Sequence, residues 1–177
     1  MSPMNIVAID FEASCLPRHG RSFPIEVGIY DGSVPKSWLI LPHGDWRGWN
    51  WEPEAEALHG IAYETLLTHG LPAPLVMKEL AGAVAGRRLV ADSGIDQYWL
   101  DMLASAAGYG EPPVIDHVAL ILDEWQVSAD QVAASRAVAD RLQPLRHRAG
   151  HDAHWLGLVL DDLYGQRSVP ERIAVAA

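Results

Sequence analysis

Basic side chains are scarce: 13 Lys and Arg stand against 23 Asp and Glu, a formal net charge of −10. That balance excludes a protein that coats nucleic acid through a broad basic face, but not an enzyme that grips phosphate through metal ions. Cys15 is the single cysteine, so there is no intramolecular disulfide framework, and one thiol fits a reducing compartment. No apolar run is long enough to span a bilayer, which predicts no membrane partner. Met1-Ser2-Pro3-Met4 leads into a strand-like run without the basic flank of a signal peptide, so the expected location is cytoplasmic. Repeats, low-complexity segments and dividing linkers are lacking too. The 177 residues are therefore expected to form one domain, 1–177, and the 49% hydrophobic content suffices for a two-sided core.

What is present reads as strands followed by strands alternating with helices. Strand-like runs lie at 5–10, 25–31 and 36–41, with Asp31-Gly32-Ser33 as a turn, and look like a meander. The Trp- and Gly-rich region 42–72 reads as loop with one short helix around Glu54–Leu58. A helix follows over 73–85, a strand over 88–91, a helix over 95–107, and a short strand at 113–116 before the apolar run Val118–Leu122. Helices at 129–142 and 151–164 complete the chain, the last stopped by Gly165. This order predicts an α/β protein with a mixed sheet.

The first strand ends on two carboxylates, Asp10 and Glu12, with Phe11 between them. Alternate residues of a strand share a face, so the two charges stand side by side and need a shared proton, a basic partner or a metal ion. In the 95–107 helix, Asp96 heads the apolar stripe Trp99/Leu100, Leu103, Ala107. In the last helix, Asp152 heads Trp155/Leu156, Val159, Leu163. Either aspartate alone is readable as a helix-terminal carboxylate favoured by the dipole; two of them beside the strand pair make a set. His147 and Asp152 are five residues apart, about 140° around a helix, which puts His147 in the entering loop, within return distance of Asp152.

Asp10-Phe11-Glu12, Asp96 in Gly94-Ile95-Asp96-Gln97-Tyr98-Trp99-Leu100, and His147 with Asp152 in His147-Arg148-Ala149-Gly150-His151-Asp152 resemble, in order and spacing, the three motifs of the DEDD superfamily of 3′→5′ exonucleases. The likeness is to its histidine-bearing DEDDh branch, with ribonuclease T, oligoribonuclease and polymerase proofreading subunits. It runs from about residue 5 to 164, and Leu58-His59-Gly60-Ile61 looks like the segment between the first two motifs. The resemblance implies a ribonuclease H-like fold, a five-stranded mixed β-sheet flanked by α-helices. It implies that Asp10, Glu12, Asp96 and Asp152 hold two divalent cations, Mg²⁺ or Mn²⁺, with neutral His147 as general base. Ala13, Ser14 and His59 then belong to the substrate-binding set around the 3′-terminal nucleotide. Partners would be 3′ ends of single-stranded or short DNA or RNA, with a nucleoside 5′-monophosphate as product and a homodimer as one assembly known among relatives.

The chain departs from the pattern at Asp92-Ser93-Gly94-Ile95, where many members carry a His-Asn pair and one residue more. Asp92 thus competes with Asp96 as ligand; the inward stripe favours Asp96 and leaves Asp92 or Ser93 as the helix cap. The Trp46–Trp51 loop has no family counterpart, and its tryptophans either stack on bases or cover the core. Four rival readings stand beside the exonuclease: a zinc hydrolase, a Cys15 nucleophile, a binding module and an endonuclease. His147 and His151 have the i, i+4 spacing of a zinc helix, with His154 nearby, but Arg148 stands where the catalytic glutamate of a zinc hydrolase belongs. Cys15 reads as a small apolar filler. A binding module that kept the fold without the activity, and an endonuclease on the same fold, complete the alternatives. DNA versus RNA rests on contacts to the 2′-position.

Overall fold

The computed structural model describes residues 5–167; residues 1–4 and 168–177 of the expected single domain lie outside the described residues. β1 (Ile6–Ala13), β2 (Pro24–Tyr30) and β3 (Lys36–Leu39) form an antiparallel meander, and β4 (Arg88–Ala91) and β5 (Ile115–His117) continue the sheet in parallel, in the order β3-β2-β1-β4-β5. The helices are α1 (Pro53–His59), α2 (Tyr63–His69), α3 (Ala73–Val84), α4 (Asp96–Ala106), α5 (Val118–Glu124), α6 (Ala129–Leu142) and α7 (Ala149–Arg167). This is the five-stranded mixed sheet flanked by helices that the sequence predicts. Among the described residues no helix is long and apolar enough to cross a membrane.

The alternation of β1 positions the site. Val7, Ile9 and Phe11 enter one core with Ile25, Val27 and Ile29 of β2, Val76 and Leu80 of α3 and Leu100 and Leu103 of α4. Ala8 enters the other with Tyr30, Val90 and Trp155, Leu156 and Leu160 of α7. Asp10 and Glu12 share the parity of Ala8, so the strand turns them toward α7. Gly28 lies directly across from Asp10. A Cβ on it would fall 2.1 Å from the Ala149 carbonyl carbon and 2.2 Å from the Gly150 nitrogen, so only glycine lets the first turn of α7 lie against the sheet there.

Several boundaries differ from the sequence reading. β1 continues to Ala13, beyond the 5–10 run, so Glu12 as well as Asp10 lies within the strand. α2 was not foreseen: it is short, buries Leu66 alone and has no side-chain cap, so its sequence carries neither stripe nor start signal. The apolar run at 118–122 is helix α5, opened by the His117 ring accepting the Ala119 N–H at 3.1 Å. α7 begins at Ala149 and passes through Gly165 to Arg167, because one helical glycine costs only about 1 kcal/mol. β3 ends at Leu39, and Ile40 makes an isolated bridge to Leu71. α4 starts at Asp96 with Ile95 as an uncapped N-terminus; the Ser93 hydroxyl accepts the Ile95 N–H at 3.4 Å. The tryptophan loop covers the core: Trp46 stacks on Phe23 at 5.5 Å, and Trp51 packs against Phe23 and Tyr63.

Candidate metal centre and nucleotide pocket

β1 supplies Asp10 and Glu12, and the first turns of α7 supply Asp152; one carboxylate oxygen from each lies within 4.8 Å of the others. Among the described residues this is the one set of three possible metal ligands that converges, and His147, His151 and His154 are not in it. Asp96, the first residue of α4, is 1% exposed and its Oδ2 has no hydrogen-bond partner among the described residues. It stands outside the triad yet close enough for its charge to act on Asp10 and Glu12. Asp92 is exposed at the end of β4 and acts in the same way on Asp10 and Asp96.

Burial and the neighbouring negative charges raise the pKa of Asp10, Glu12 and Asp96. Desolvation is the largest cause for each: it raises Asp10 well above its ordinary value, helped by Asp96, Glu12, Asp152 and Asp92. Glu12 is pushed up to about 8 by burial, then by Asp152 and Glu26, with the Arg148 guanidinium opposing. Asp96 also reaches about 8 through burial and Asp92, against a hydrogen bond from the Phe11 backbone. An all-carboxylate donor set with an orphaned buried oxygen suits a hard divalent cation, which would reverse every one of these shifts.

Asp152 also organises the loop before α7. Arg146 Nε donates to its Oδ1, and the backbone N–H groups of His147 and Arg148 donate to its Oδ2 at 2.7 and 3.2 Å. His147 takes a positive φ of 62° in this turn, and its side chain is exposed. The loop is anchored from the other side by Glu26, directly opposite Glu12 in the sheet and 1% exposed. Glu26 accepts a two-pronged contact from Arg148 at 2.9 and 2.8 Å, the Ala149 N–H at 3.1 Å and the Ser37 hydroxyl at 3.0 Å. Sequence reasoning missed Glu26 and Arg148. The available signal was a lone carboxylate inside Pro24-Ile25-Glu26-Val27-Gly28-Ile29-Tyr30, a strand buried throughout.

Beside Glu12 opens a pocket of about 260 Å³, lined among others by Phe11, Ala13, Leu58, His59 and Trp99. His59 is 4% exposed. Its Nδ1 accepts the Ile61 N–H at 3.0 Å, which leaves the proton on Nε2, and Nε2 has no partner among the described residues. Burial lowers its pKa, so the ring is a neutral donor. Trp51 stands edge-on to the ring at 6.2 Å and donates from Nε1 to Glu56, holding α1 in place. Ser14 is buried and turned away from this space: its hydroxyl accepts the Phe23 N–H at 3.1 Å, and it is not among the pocket-lining side chains. Cys15 is buried at the pocket wall, and the His154 ring lies on Tyr30 at 4.6 Å.

No protein-family model and no curated protein sequence matches the chain. Solved structures do resemble it. A 3′-exonuclease described in 3′-end-specific recognition of histone mRNA stem-loop superposes with a TM-score of 0.68 at 14% identity, over 93% of this chain and 65% of its own. E. coli Exonuclease I in complex with a dA16 oligonucleotide gives 0.65 at 12% identity, over 92% of this chain and 41% of its own. Exonuclease X in complex with 5′ overhanging duplex DNA gives 0.52 at 18% identity, over 93% and 94%. The chain thus spans less than two thirds of the first two structures. At these identities what is shared is the architecture: the chain has the ribonuclease H-like α/β fold that these 3′-exonucleases have.

Proposed function

We propose that the chain is a metal-dependent 3′→5′ exonuclease of the DEDDh type, releasing nucleoside 5′-monophosphates from single-stranded or short nucleic acid. The observation that carries this reading is the convergence of the Asp10, Glu12 and Asp152 oxygens within 4.8 Å, with Glu12 at the wall of a pocket of about 260 Å³. Asp10, Glu12, Asp96 and Asp152 would hold Mg²⁺ or Mn²⁺, which supply charge neutralisation at the scissile phosphate. The terminal nucleotide enters the pocket against Phe11, Leu58 and Trp99, with Ala13 at its wall and the His59 Nε2–H as a donor. An imidazole nitrogen of His147 takes the proton of the attacking water. Water adds at phosphorus, the P–O3′ bond breaks, and the shortened strand keeps the new 3′-hydroxyl. Asp152 and the Glu26–Arg148 pair hold the backbone on both sides of that histidine.

A second reading, a nucleic-acid-binding module with little activity, is favoured by one contact: Arg146 already occupies an oxygen of Asp152. The test is a ladder. Oligomers of DNA and of RNA labelled at the 5′ end, incubated with Mn²⁺ or Mg²⁺ and with EDTA as control, should shorten one nucleotide at a time from the 3′ end only with metal. His147→Ala should lower kcat by about 10²–10⁴ while calorimetric Mn²⁺ binding persists. Internal fragments would establish an endonuclease; binding without any cleavage would establish the module. Comparing Asp92→Asn with Asp96→Asn in the same assay assigns the second-motif ligand.

A further inference from the structure

A second groove, of about 340 Å³, lies on the α5–α6–α7 side and shares no lining residue with the pocket beside Glu12. One end is Asp92, which stands close enough to Asp10 and Asp96 to act on both. The walls are apolar, from Val118, Leu122, Trp155 and Leu156, and Arg136 of α6 closes them. Arg136 is exposed, its guanidinium lies 5.4 Å from the centre of the Trp155 ring, and among the described residues it has no carboxylate partner. Arg87, Arg88, Arg146 and Arg148, by contrast, are all paired with carboxylates. The indole cannot swing away, because its Nε1 donates to Asp140 at 2.7 Å, one turn along α6 from Arg136. In a chain of net charge −10, an exposed guanidinium on an aromatic face, with no ion-pair partner among the described residues, is a cation available to an outside anion.

We propose that this groove takes the nucleotide on the 5′ side of the scissile bond, with Arg136 contacting its phosphate and the apolar walls taking its base. The inference rests on the exonuclease reading, which puts the scissile phosphate at the carboxylates between the two recesses. Complementarity selects the occupant: an anionic, partly apolar unit continuous with a phosphodiester at Asp10. Charge selects a single strand, since a duplex would bring its second strand against the surface of a chain of net charge −10.

Fluorescence anisotropy with a 5′-labelled single-stranded hexanucleotide in Ca²⁺ buffer, and competition by a nucleoside 5′-monophosphate, test the assignment on the full chain. Arg136→Gln should weaken hexanucleotide binding about five- to tenfold and reduce the slope of log affinity against log salt by about 0.7. It should leave competition by the monophosphate unchanged. Arg136→Lys should recover most of the salt slope. Since Arg136 is exposed, circular dichroism of Arg136→Gln should match the parent. An unchanged hexanucleotide affinity and slope in Arg136→Gln, with the parent chain binding normally, would overturn the subsite. A parent chain that binds neither ligand would instead remove the exonuclease reading beneath it.

Discussion

Asp152 serves two kinds of partner. One of its oxygens converges with Asp10 and Glu12, while the carboxylate also receives the Arg146 guanidinium and two backbone amides. A divalent cation and Arg146 therefore compete for the same charge, and the Arg146 guanidinium is also held over the Trp155 ring, 4.1 Å from its centre. Removing the competitor should help the metal. Arg146→Gln is expected to tighten Mn²⁺ binding about tenfold, roughly 1.4 kcal/mol, in isothermal titration calorimetry. Weaker or equal binding would mean that Arg146 holds Asp152 in its ligating position rather than contesting it.

Among the helices and strands, some are legible in the sequence and others are not. The first strand could be read as an unbroken apolar run, and the 73–85 and 129–142 helices and the inward aspartates of α4 and α7 from apolar residues at three-four spacing, where a carboxylate at the head of the stripe stands out. α2 buries one residue and α5 is short, and neither length gives a period a chance to declare itself. The Glu26–Arg148 pair joins elements 122 residues apart, and a contact of that range leaves no local pattern. Gly28 belongs to the same class: nothing around it announces that α7 will come within a backbone's width. Gly28→Ala should cost about 1–3 kcal/mol or more, since the obstructing atoms are main chain and cannot rotate away. Gly82→Ala, in α3 with nothing within 4 Å of the added carbon, should gain about 0.5–1 kcal/mol. Thermal melts of the two variants should move in opposite directions; a harmless Gly28→Ala would mean that α7 can dock without that close approach.

For the molecule as a whole, the carboxyl cluster makes stability depend on pH in an unusual direction. Unfolded, such groups titrate near 4; folded, Glu12 and Asp96 titrate at about 8. Between those values the folded chain binds more protons than the unfolded one, so stability falls as pH rises. Burial lowers the pKa of His59 and His154, which pull the opposite way only below about pH 6.5. In EDTA the melting temperature should therefore drop by roughly 5 °C or more from pH 6.5 to 8, and Glu12→Gln should flatten the drop. Mn²⁺ should restore the melting temperature at pH 8 far more than at pH 6.5. A melting temperature that stays level or climbs across this interval in EDTA would show that the cluster is not protonated in the folded chain. The close seat that Gly28 makes for α7 also has a consequence in time. β1 and β2 precede α7 in the chain, so Asp10 and Glu12 are made before Asp152 and gain their third carboxylate only when α7 docks. The three-carboxylate centre is therefore assembled by the docking of α7 over Gly28, the last of these segments to be made.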